Sequence, residues 1–539
     1  METLVLDVQR AANAKWPKSS YEVGTRAGQA ALPKPAFDPE TGRPPQLMYL
    51  LPEYPGENPI NWRRNMYGMI GHGVKFFDLF IFATAQEGQH TCDYTDPDAG
   101  SYQGIRQALQ VACPCSSRLA PCSLLLAPCS CLHIALRVSE ATPCLQEIGM
   151  MDDLVATGVA QPYAAAALLF SETADIWWGN VAGAAKRSLY IALRHAQVTV
   201  DIVSEEDCSA GALNHYTTLF IVEAQVAEEP MTAIAKWVGT GGNLVLTAGA
   251  ASLNETNSTN LASQALLPGV DRTGGTWTGT RYSRRNATVY YVKEQLPWAE
   301  TLDTVTPTAD GVVGGKLGVF GEKEIVRLHD ASDKNKSAAA DMGSDDDDAT
   351  VSTPPGAWIV LATFDGGSPA ELRIKAPRAG GNVTLFLYHP GLSYFKPATP
   401  RRPVDRNAHI DAFTNFIPTE FVTSVRAREA LAATVGGVEA RPVVSSEPLV
   451  EASLVLAAKG AVITLVNWSE NIRELNATPS TRLTVTLATP LPQFKTATLA
   501  SCGVLSTSEC SPGAARLNAT AGGASFSVDL AIADAIILR

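Results

Sequence analysis

The sequence contains no apolar run approaching the roughly 20 residues of a membrane-spanning helix, so we expect no integral membrane protein. It also lacks an excess of basic residues, since 42 Lys and Arg stand against 54 Asp and Glu, for a net charge of −12. Phosphate binding needs clustered basic side chains, which disfavours nucleic acid as the main partner. No sustained G-x-y or heptad period is present, which excludes collagen-like and coiled-coil chains. The 539 residues, 46% of them hydrophobic, suffice for about three or four domains with buried cores.

No signal peptide is visible, because METLVLDVQRAANAKW has no basic region followed by an apolar core. The chain nevertheless carries eight N-x-[ST] sequons, where roughly three would arise by chance. We therefore expect a secreted or extracellular glycoprotein whose signal peptide is missing here, with accidental sequons as the open alternative. In a secreted protein Cys502 and Cys510 could close a small hairpin disulfide. The sequons are Asn254, Asn257, Asn286, Asn335, Asn382, Asn467, Asn476 and Asn518.

Six of the ten cysteines crowd into residues 111–144, where LAPCS occurs twice. The C-P-C and C-S-C spacings are too tight for a zinc site and only His133 is near, so we expect no metal here. The favoured interpretation is a low-complexity insertion. Segments 104–110 and 145–155 both carry helical spacing, and deleting the insertion would join them into one amphipathic helix. The cysteines are Cys113, Cys115, Cys122, Cys129, Cys131 and Cys144.

The N-terminal region alternates strand and helix patterns. Residues 46–51 and 74–82 are predicted to be buried strands, and 60–73 a helix with apolar residues four apart. This βαβα order is typical of an α/β barrel or a doubly wound sheet. An eight-stranded barrel needs about 250 residues, so the region can supply only part of one.

The middle of the chain repeats this alternation more clearly. Helix 228–239 opens with acids, which suits the positive end of its dipole, and Gly241-Gly242 ends it. The pattern predicts a parallel sheet covered by helices on its faces. The predicted strands are 164–170, 197–203, 218–224 and 243–247, with helices at 181–195 and 228–239.

After residue 327 the composition changes. Residues 327–356 include four consecutive aspartates and are predicted to be a disordered loop. Strands are predicted at 357–364 and 382–388. The last 90 or so residues alternate apolar and polar side chains, with Lys459-Gly460 as a hairpin turn, which predicts a β-sandwich.

Glu53 is the first candidate for a catalytic group, because it directly follows strand 46–51. In α/β barrels the catalytic side chains project from the carboxyl ends of strands. Retaining glycoside hydrolysis uses two carboxylates about 5–5.5 Å apart, and Glu53 could be one of them. Glu22, Glu57 and Glu87 are lesser candidates, and a solvated loop acid is the alternative for each.

Acidic side chains follow the strands of the predicted middle sheet. Ligands of open α/β sheets bind at this edge, so the acids favour a hydroxyl-rich or cationic ligand or a subunit contact, with helix capping as the alternative. No G-x-G-x-x-G or Walker loop is present, and we expect no cofactor. These acids are Glu172, Asp175, Glu205, Glu206, Asp207 and Glu223.

Thiol chemistry is disfavoured in the same region. The turn 248–250 after the last predicted strand contains neither Cys nor Ser. Cys208 follows an acidic run, which should raise the pKa of its thiol. His195, at the end of a helix, and His72, before a glycine, are both predicted to be structural.

The run QLMYLLPEYPGENPINWRRNMYGMIGHGVKFFDLFIF resembles the end of the catalytic barrel in β-galactosidases of glycoside hydrolase family 42. The stretches AAAALLFSETADIWW and LFIVEAQVAEEPMTAIAKWVGTGGNLVLTAGA look like the trimerisation domain of these enzymes, which has a class I amidotransferase-like fold without the nucleophile. The region from about Glu447 is similar to their small final β domain.

This resemblance implies three parts: a partial (β/α)-barrel remnant over 1–158, interrupted by 111–144; an amidotransferase-like doubly wound domain over 159–445; and a C-terminal β-sandwich over 446–539. It implies a glycoside hydrolase-like protein of carbohydrate metabolism and a homotrimer. Glu53 would be the nucleophile, and Trp62 and Arg63 would contact a β-galactoside-like sugar, with a core position on the helix face as the alternative for Trp62.

The chain departs from the family in having no counterpart of the acid/base Asn-Glu pair. We therefore expect a truncated or inactive form, with a non-catalytic oligomerisation or carbohydrate-binding scaffold as the alternative.

Overall fold

The structure of the protein is a computed structural model. It describes residues 47–51, 59–79, 146–161, 164–178, 180–272, 276–278, 301–311, 315–329, 358–375, 380–397, 425–435, 441–447, 449–467, 481–487, 494, 496–501, 516–520, 523–530 and 532–539.

Helices and strands are numbered along the chain. The helices are α1 Pro59–Gly71, α2 146–157, α3 Glu172–Trp178, α4 Asn180–His195, α5 Glu205–Ser209, α6 Glu228–Gly239, α7 Leu261–Ala265, α8 Pro390–Phe395 and α9 Val425–Val435. The strands up to residue 330 are β1 Leu47–Leu51, β2 Val74–Leu79, β3 Val159–Ala160, β4 Ala166–Phe170, β5 Val200–Ser204, β6 Thr218–Ile221, β7 Asn243–Leu246, β8 Val270–Asp271, β9 Thr276–Thr278, β10 Asp303–Pro307, β11 Leu317–Val319, β12 Glu322–Glu324 and β13 Arg327–Leu328. The later strands are β14 Trp358–Phe364, β15 Pro369–Lys375, β16 Asn382–Phe386, β17 Val443–Ser445, β18 Val450–Ala457, β19 Gly460–Asn467, β20 Thr481–Leu487, β21 Ala497–Leu499, β22 Arg516–Thr520, β23 Gly523–Leu530 and β24 Ala533–Leu538.

The described residues form two compact units. The central unit runs from Ala164 to Arg441, and the terminal unit combines the residues up to Tyr163 with Pro442–Arg539. The predicted three-part division stays a prediction. The fold is mixed α/β with several sheets, and no sheet closes into a barrel among the described residues.

A nine-stranded sheet, in the order β11-β10-β14-β15-β16-β7-β6-β4-β5, is the framework of the central unit. The pairs β4–β5, β4–β6, β6–β7 and β7–β16 are parallel, which confirms the parallel sheet predicted from the sequence. β4 to β7 are buried along nearly their whole length, and strands covered on both faces are typically continuous apolar runs.

The connections of this sheet follow from local chemistry. α6 begins with Glu228 and Glu229 next to its positive end, and it has the bounds that the sequence predicts. Gly241, with φ 121°, turns the chain into β7 in a conformation that suits glycine. The remaining strands, β10, β11, β14 and β15, are antiparallel and extend the sheet beyond β16.

The terminal unit contains two antiparallel sheets. One has the order β17-β20-β23-β22 and the other β21-β24-β19-β18-β3. Phe526, Val528 and Leu530 of β23 share a core with Ile463 and Leu465 of β19, so the two sheets pack face to face. The predicted hairpin joins β18 and β19, and its two turn residues are Ala458 and Lys459.

A second core covers the other face of the five-stranded sheet. Val462 and Val466 of β19 and Ile537 of β24 pack there with Met66 and Ile70 of α1, and Met151 and Leu154 of α2 join them. β19 is therefore buried at all eight positions, because its two faces are covered by different neighbours. The predicted helix over 145–155 is present as α2, whereas 104–110, residues 111–144 and both Cys502 and Cys510 lie outside the described residues.

β1 and β2 pair in parallel across α1, as the strand–helix–strand pattern predicts. Arg327 and Leu328, the first residues of the predicted loop, pair with β8, and most of that loop lies outside the described residues.

No helix in the described part of the chain is long and apolar enough to cross a membrane. Of the sequons, Asn257 is exposed, whereas Asn467 is buried within β19 and closed to a glycan in the folded chain.

Candidate functional site

Of the three predicted site residues, only Arg63 has a described side chain. Glu53 lies outside the described residues, and Trp62 is placed on α1 without a described side chain. The Arg63 guanidinium forms a bidentate pair with Glu147 of α2, with Nη2–Oε2 at 2.7 Å and Nη1–Oε1 at 3.2 Å. Its Nε donates to the Ala533 carbonyl at 2.7 Å, and the hydroxyl of Tyr67 also donates to Glu147. Arg63 thus links α1, α2 and β24, and its role toward sugar stays a prediction.

His72 lies at the end of α1 in a buried network. Its Nε2 is 2.7 Å from Glu451 Oε1, and the side-chain amide nitrogen of Gln161 is 3.1 Å from its Nδ1. Because the amide nitrogen can only donate, Nδ1 is the acceptor and Nε2 carries the proton toward Glu451. These contacts fit the structural role predicted for His72.

The acids at the carboxyl edge of the parallel sheet serve the fold. Asp207 completes a capping box with Ser204: the Asp207 N–H donates to the Ser204 hydroxyl, and the Ser204 N–H donates to the Asp207 carboxylate. Glu205 accepts bonds from the N–H and the hydroxyl of Thr173 and from the Ala227 N–H, at 2.8 to 3.1 Å. Glu205 therefore fixes the start of α3 and the approach to α6. Helix capping, the alternative left open by the sequence, is confirmed for Asp207.

Glu223, after β6, forms a buried ion pair that the sequence does not reveal. Lys186 Nζ of α4 lies 2.5 Å from Glu223 Oε1, with side-chain exposures of 6% and 0%. The ammonium also sits 3.9 Å from the centre of the Phe170 ring, a cation–π contact. Neither oxygen of Glu223 makes a well-aligned hydrogen bond among the described residues. The pair thus joins α4 to the sheet edge beneath the surface.

The turn after β7 is held by a second ion pair. Arg272 Nε lies 2.5 Å from Glu324 Oε1, and the N–H of Gly249 donates to Glu324 Oε2 at 2.9 Å. Arg272 also donates to the carbonyl of Ala250 at 2.8 Å. The pair of Arg272 and Glu324 therefore fixes the backbone of the turn at Gly249 and Ala250.

Cys208 is buried in α5 and has no disulfide partner among the described residues. Burial raises the pKa of its thiol well above the usual value, and Asp207, Glu205 and Glu172 raise it further. The prediction that the acidic run opposes thiol activation is confirmed.

His195 is the last residue of α4, and its Nδ1 lies 2.8 Å from the hydroxyl of Tyr394 in α8. No cluster of three metal-ligating side chains occurs in the described ranges.

No protein-family model and no curated protein matches the chain. Solved structures do match, with low identity. A catalytic mutant of a family 42 β-galactosidase from G. stearothermophilus is 13% identical, covers 89% of this chain and 51% of its own, and has a TM-score of 0.46. This neighbour and the two described next are glycoside hydrolases.

Two further structures are similar at the same level. A β-galactosidase from Bacillus circulans sp. alkalophilus is 11% identical over 90% of this chain and 52% of its own, with a TM-score of 0.45. The α-L-fucosidase isoenzyme 2 from Paenibacillus thiaminolyticus is 14% identical over 92% and 60%, with a TM-score of 0.47. The chain spans about half the length of the two β-galactosidases. Scores of this size describe a partial likeness of fold.

Proposed function

We propose that the protein is a glycoside hydrolase-like protein of the β-galactosidase type, in which the central unit is a non-catalytic assembly element. The parallel order β5-β4-β6-β7-β16 carries this proposal, because the sequence resemblance to the trimerisation domain implies such a sheet. The sheet edge supports a non-catalytic role, since Glu205, Asp207 and Glu223 are engaged within the fold and Cys208 is buried.

The reaction proposed for an active form of the protein is retaining hydrolysis of a β-galactoside-like bond. Glu53 is the proposed nucleophile, and Trp62 and Arg63 are the proposed contacts to the sugar. Retention requires a second carboxyl group about 5–5.5 Å away as acid and base, to which we assign no residue.

Turnover of a chromogenic β-galactoside tests this reaction. The variant Glu53→Gln keeps the size of the side chain and removes the attacking carboxylate, so we expect activity to fall by at least about 1,000-fold. Glu429→Gln, at an exposed position of α9, is the matched control and should stay within about threefold of the wild type. Activity that survives Glu53→Gln would exclude Glu53 as nucleophile.

The second candidate is a non-catalytic oligomerisation or carbohydrate-binding scaffold. Two exposed apolar side chains of α3 favour it, since Ile176 is 85% and Trp177 47% exposed. Such side chains suit a contact between copies of the chain. Absence of turnover, together with a mass of three times 57.2 kDa in light scattering, would favour the scaffold. A monomer that neither turns over nor binds the sugar would contradict both candidates.

A further inference from the structure

A cavity of about 130 Å³ opens in the central unit, and none of the acids that follow strands β4 to β6 lines it. Its floor is a square of four side chains on two neighbouring antiparallel strands. Glu371 and Arg373 of β15 lie opposite Phe386 and Thr384 of β16, respectively. Residues two apart on a strand point to the same face, so the carboxylate and the guanidinium are presented side by side.

Small side chains of α9 create the space above this floor. Ala430, Ala433 and Thr434 form one wall, and their spacing of three and four residues places them on one face of the helix. Asp310 and Gly311, which follow β10, form part of the rim. A cavity of about 150 Å³ accommodates a benzene ring, so this one takes a ligand of about six non-hydrogen atoms.

The floor is fixed before any ligand arrives. Glu371 Oε1 accepts from the Tyr388 hydroxyl at 2.7 Å and from Arg426 Nη2 at 3.3 Å. Arg426 is held in turn by the carbonyl of Val305 at 2.8 Å. Burial raises the pKa of Glu371, whereas Tyr388 and Arg426 lower it. The carboxyl group is therefore pre-positioned, with one oxygen committed to the protein.

Several polar groups of the cavity have no hydrogen-bond partner in the part of the chain that the structure describes. Within the described ranges, no hydrogen bond is made by the guanidinium of Arg373, the hydroxyl of Thr384 or the carboxylate of Asp310. The charges nevertheless balance, because Arg426 pairs with Glu371 and the positive Arg373 offsets the negative Asp310. An ion would find no net attraction here, whereas a neutral ligand that both donates and accepts hydrogen bonds would satisfy every group.

We propose that this cavity binds the neighbouring hydroxyl groups of a small neutral polyol or of one edge of a monosaccharide. Arg373 donates a hydrogen bond to one hydroxyl oxygen, Glu371 accepts a hydrogen bond from a neighbouring hydroxyl, and Thr384 can do either. This site is independent of Glu53 and of any hydrolytic activity.

Ligand-observed NMR titration of the full chain with glycerol and with D-galactose tests the proposal, with inorganic phosphate and choline as charged probes. A six-atom ligand should bind with a millimolar dissociation constant. Arg373→Gln removes the charged donor and Ala433→Leu fills the mouth from an exposed helix position, so each should weaken binding at least about tenfold. Glycerol binding alone would assign the site to polyols, and binding of both probes would extend it to sugar edges.

Arg327→Gln is the matched control, because Arg327 is exposed in the same unit and does not line the cavity. It should bind the probes as the wild type does, and glycerol binding is the readout that separates this site from the proposed galactoside site. Three results would overturn the proposal: no saturable binding of either neutral probe up to about 100 mM, neutral binding that Arg373→Gln and Ala433→Leu leave unchanged, or displacement by phosphate or choline.

Discussion

Single residues in the central unit show that buried charges are kept in pairs. Lys186 pairs with Glu223, Arg272 with Glu324 and Arg426 with Glu371. Replacing such a pair by apolar side chains is often neutral, whereas removing one partner leaves an uncompensated buried charge. Removing one member of such a pair should therefore lower the free energy of unfolding, because the other member stays buried as an unpaired charge.

Lys186→Met tests this view. The variant keeps the length of the side chain and its contact with Phe170 but leaves the Glu223 carboxylate buried without a counter-charge. We expect the free energy of unfolding to fall by about 3–5 kcal/mol. The double variant Lys186→Met/Glu223→Leu should recover most of that loss. Urea denaturation of the wild type, both single variants and the double variant measures the coupling. Equal losses in the Lys186 single and the double variant would show that the charge left on Glu223 is not the cause.

Elements of the central unit depend on a close approach between helices. α8 packs on α4 at Gly391, where an added Cβ would lie 2.3 Å from the backbone nitrogen of Leu189. Gly391→Ala forces the helices apart, so we expect a loss of about 1–3 kcal/mol of unfolding free energy. Gly239→Ala, in α6 with no atom within 4 Å of the added carbon, should be neutral or stabilising by up to about 1 kcal/mol. Thermal unfolding of both variants compares them, and a stable Gly391→Ala would refute the close packing.

Helices and strands could be predicted from the sequence where the residues of the element itself carry the signal. The strands β4 to β7 are apolar runs because both of their faces are buried, and α6 has acids at its start and glycine after its end. Contacts between distant residues carry no such signal. Lys186 and Glu223 come together only once α4 packs near β6, and the cavity combines β15, β16 and α9. The candidate nucleophile, Glu53, rests on sequence alone.

At the scale of the whole molecule, the terminal unit is built from chain segments that the central unit separates. α1 and α2 precede residue 164, yet they cover one face of a sheet whose strands come mostly after residue 442. No local pattern predicts this, because the nearly continuous apolar runs of β19 and β24 indicate two buried faces without specifying what covers either of them. Arg63 of α1 donates to the carbonyl of Ala533 in β24 across the same junction.

The fragment 442–539 alone should therefore not behave as an independent sandwich. Without α1 and α2, Val462, Val466 and Ile537 would be exposed on one face of the sheet. Contiguous apolar surface of this kind promotes aggregation and binds hydrophobic dyes. We expect this fragment to be poorly soluble and to enhance anilinonaphthalene sulfonate fluorescence, and a version that carries residues 59–79 and 146–161 on a flexible linker to do neither. The linked version also restores the pair between Arg63 and Glu147, so Glu147→Gln in it provides a graded control that should weaken the helix contact while keeping the apolar cover. A soluble, dye-silent fragment 442–539 would show that the two antiparallel sheets close their own core and that α1 and α2 are dispensable for it.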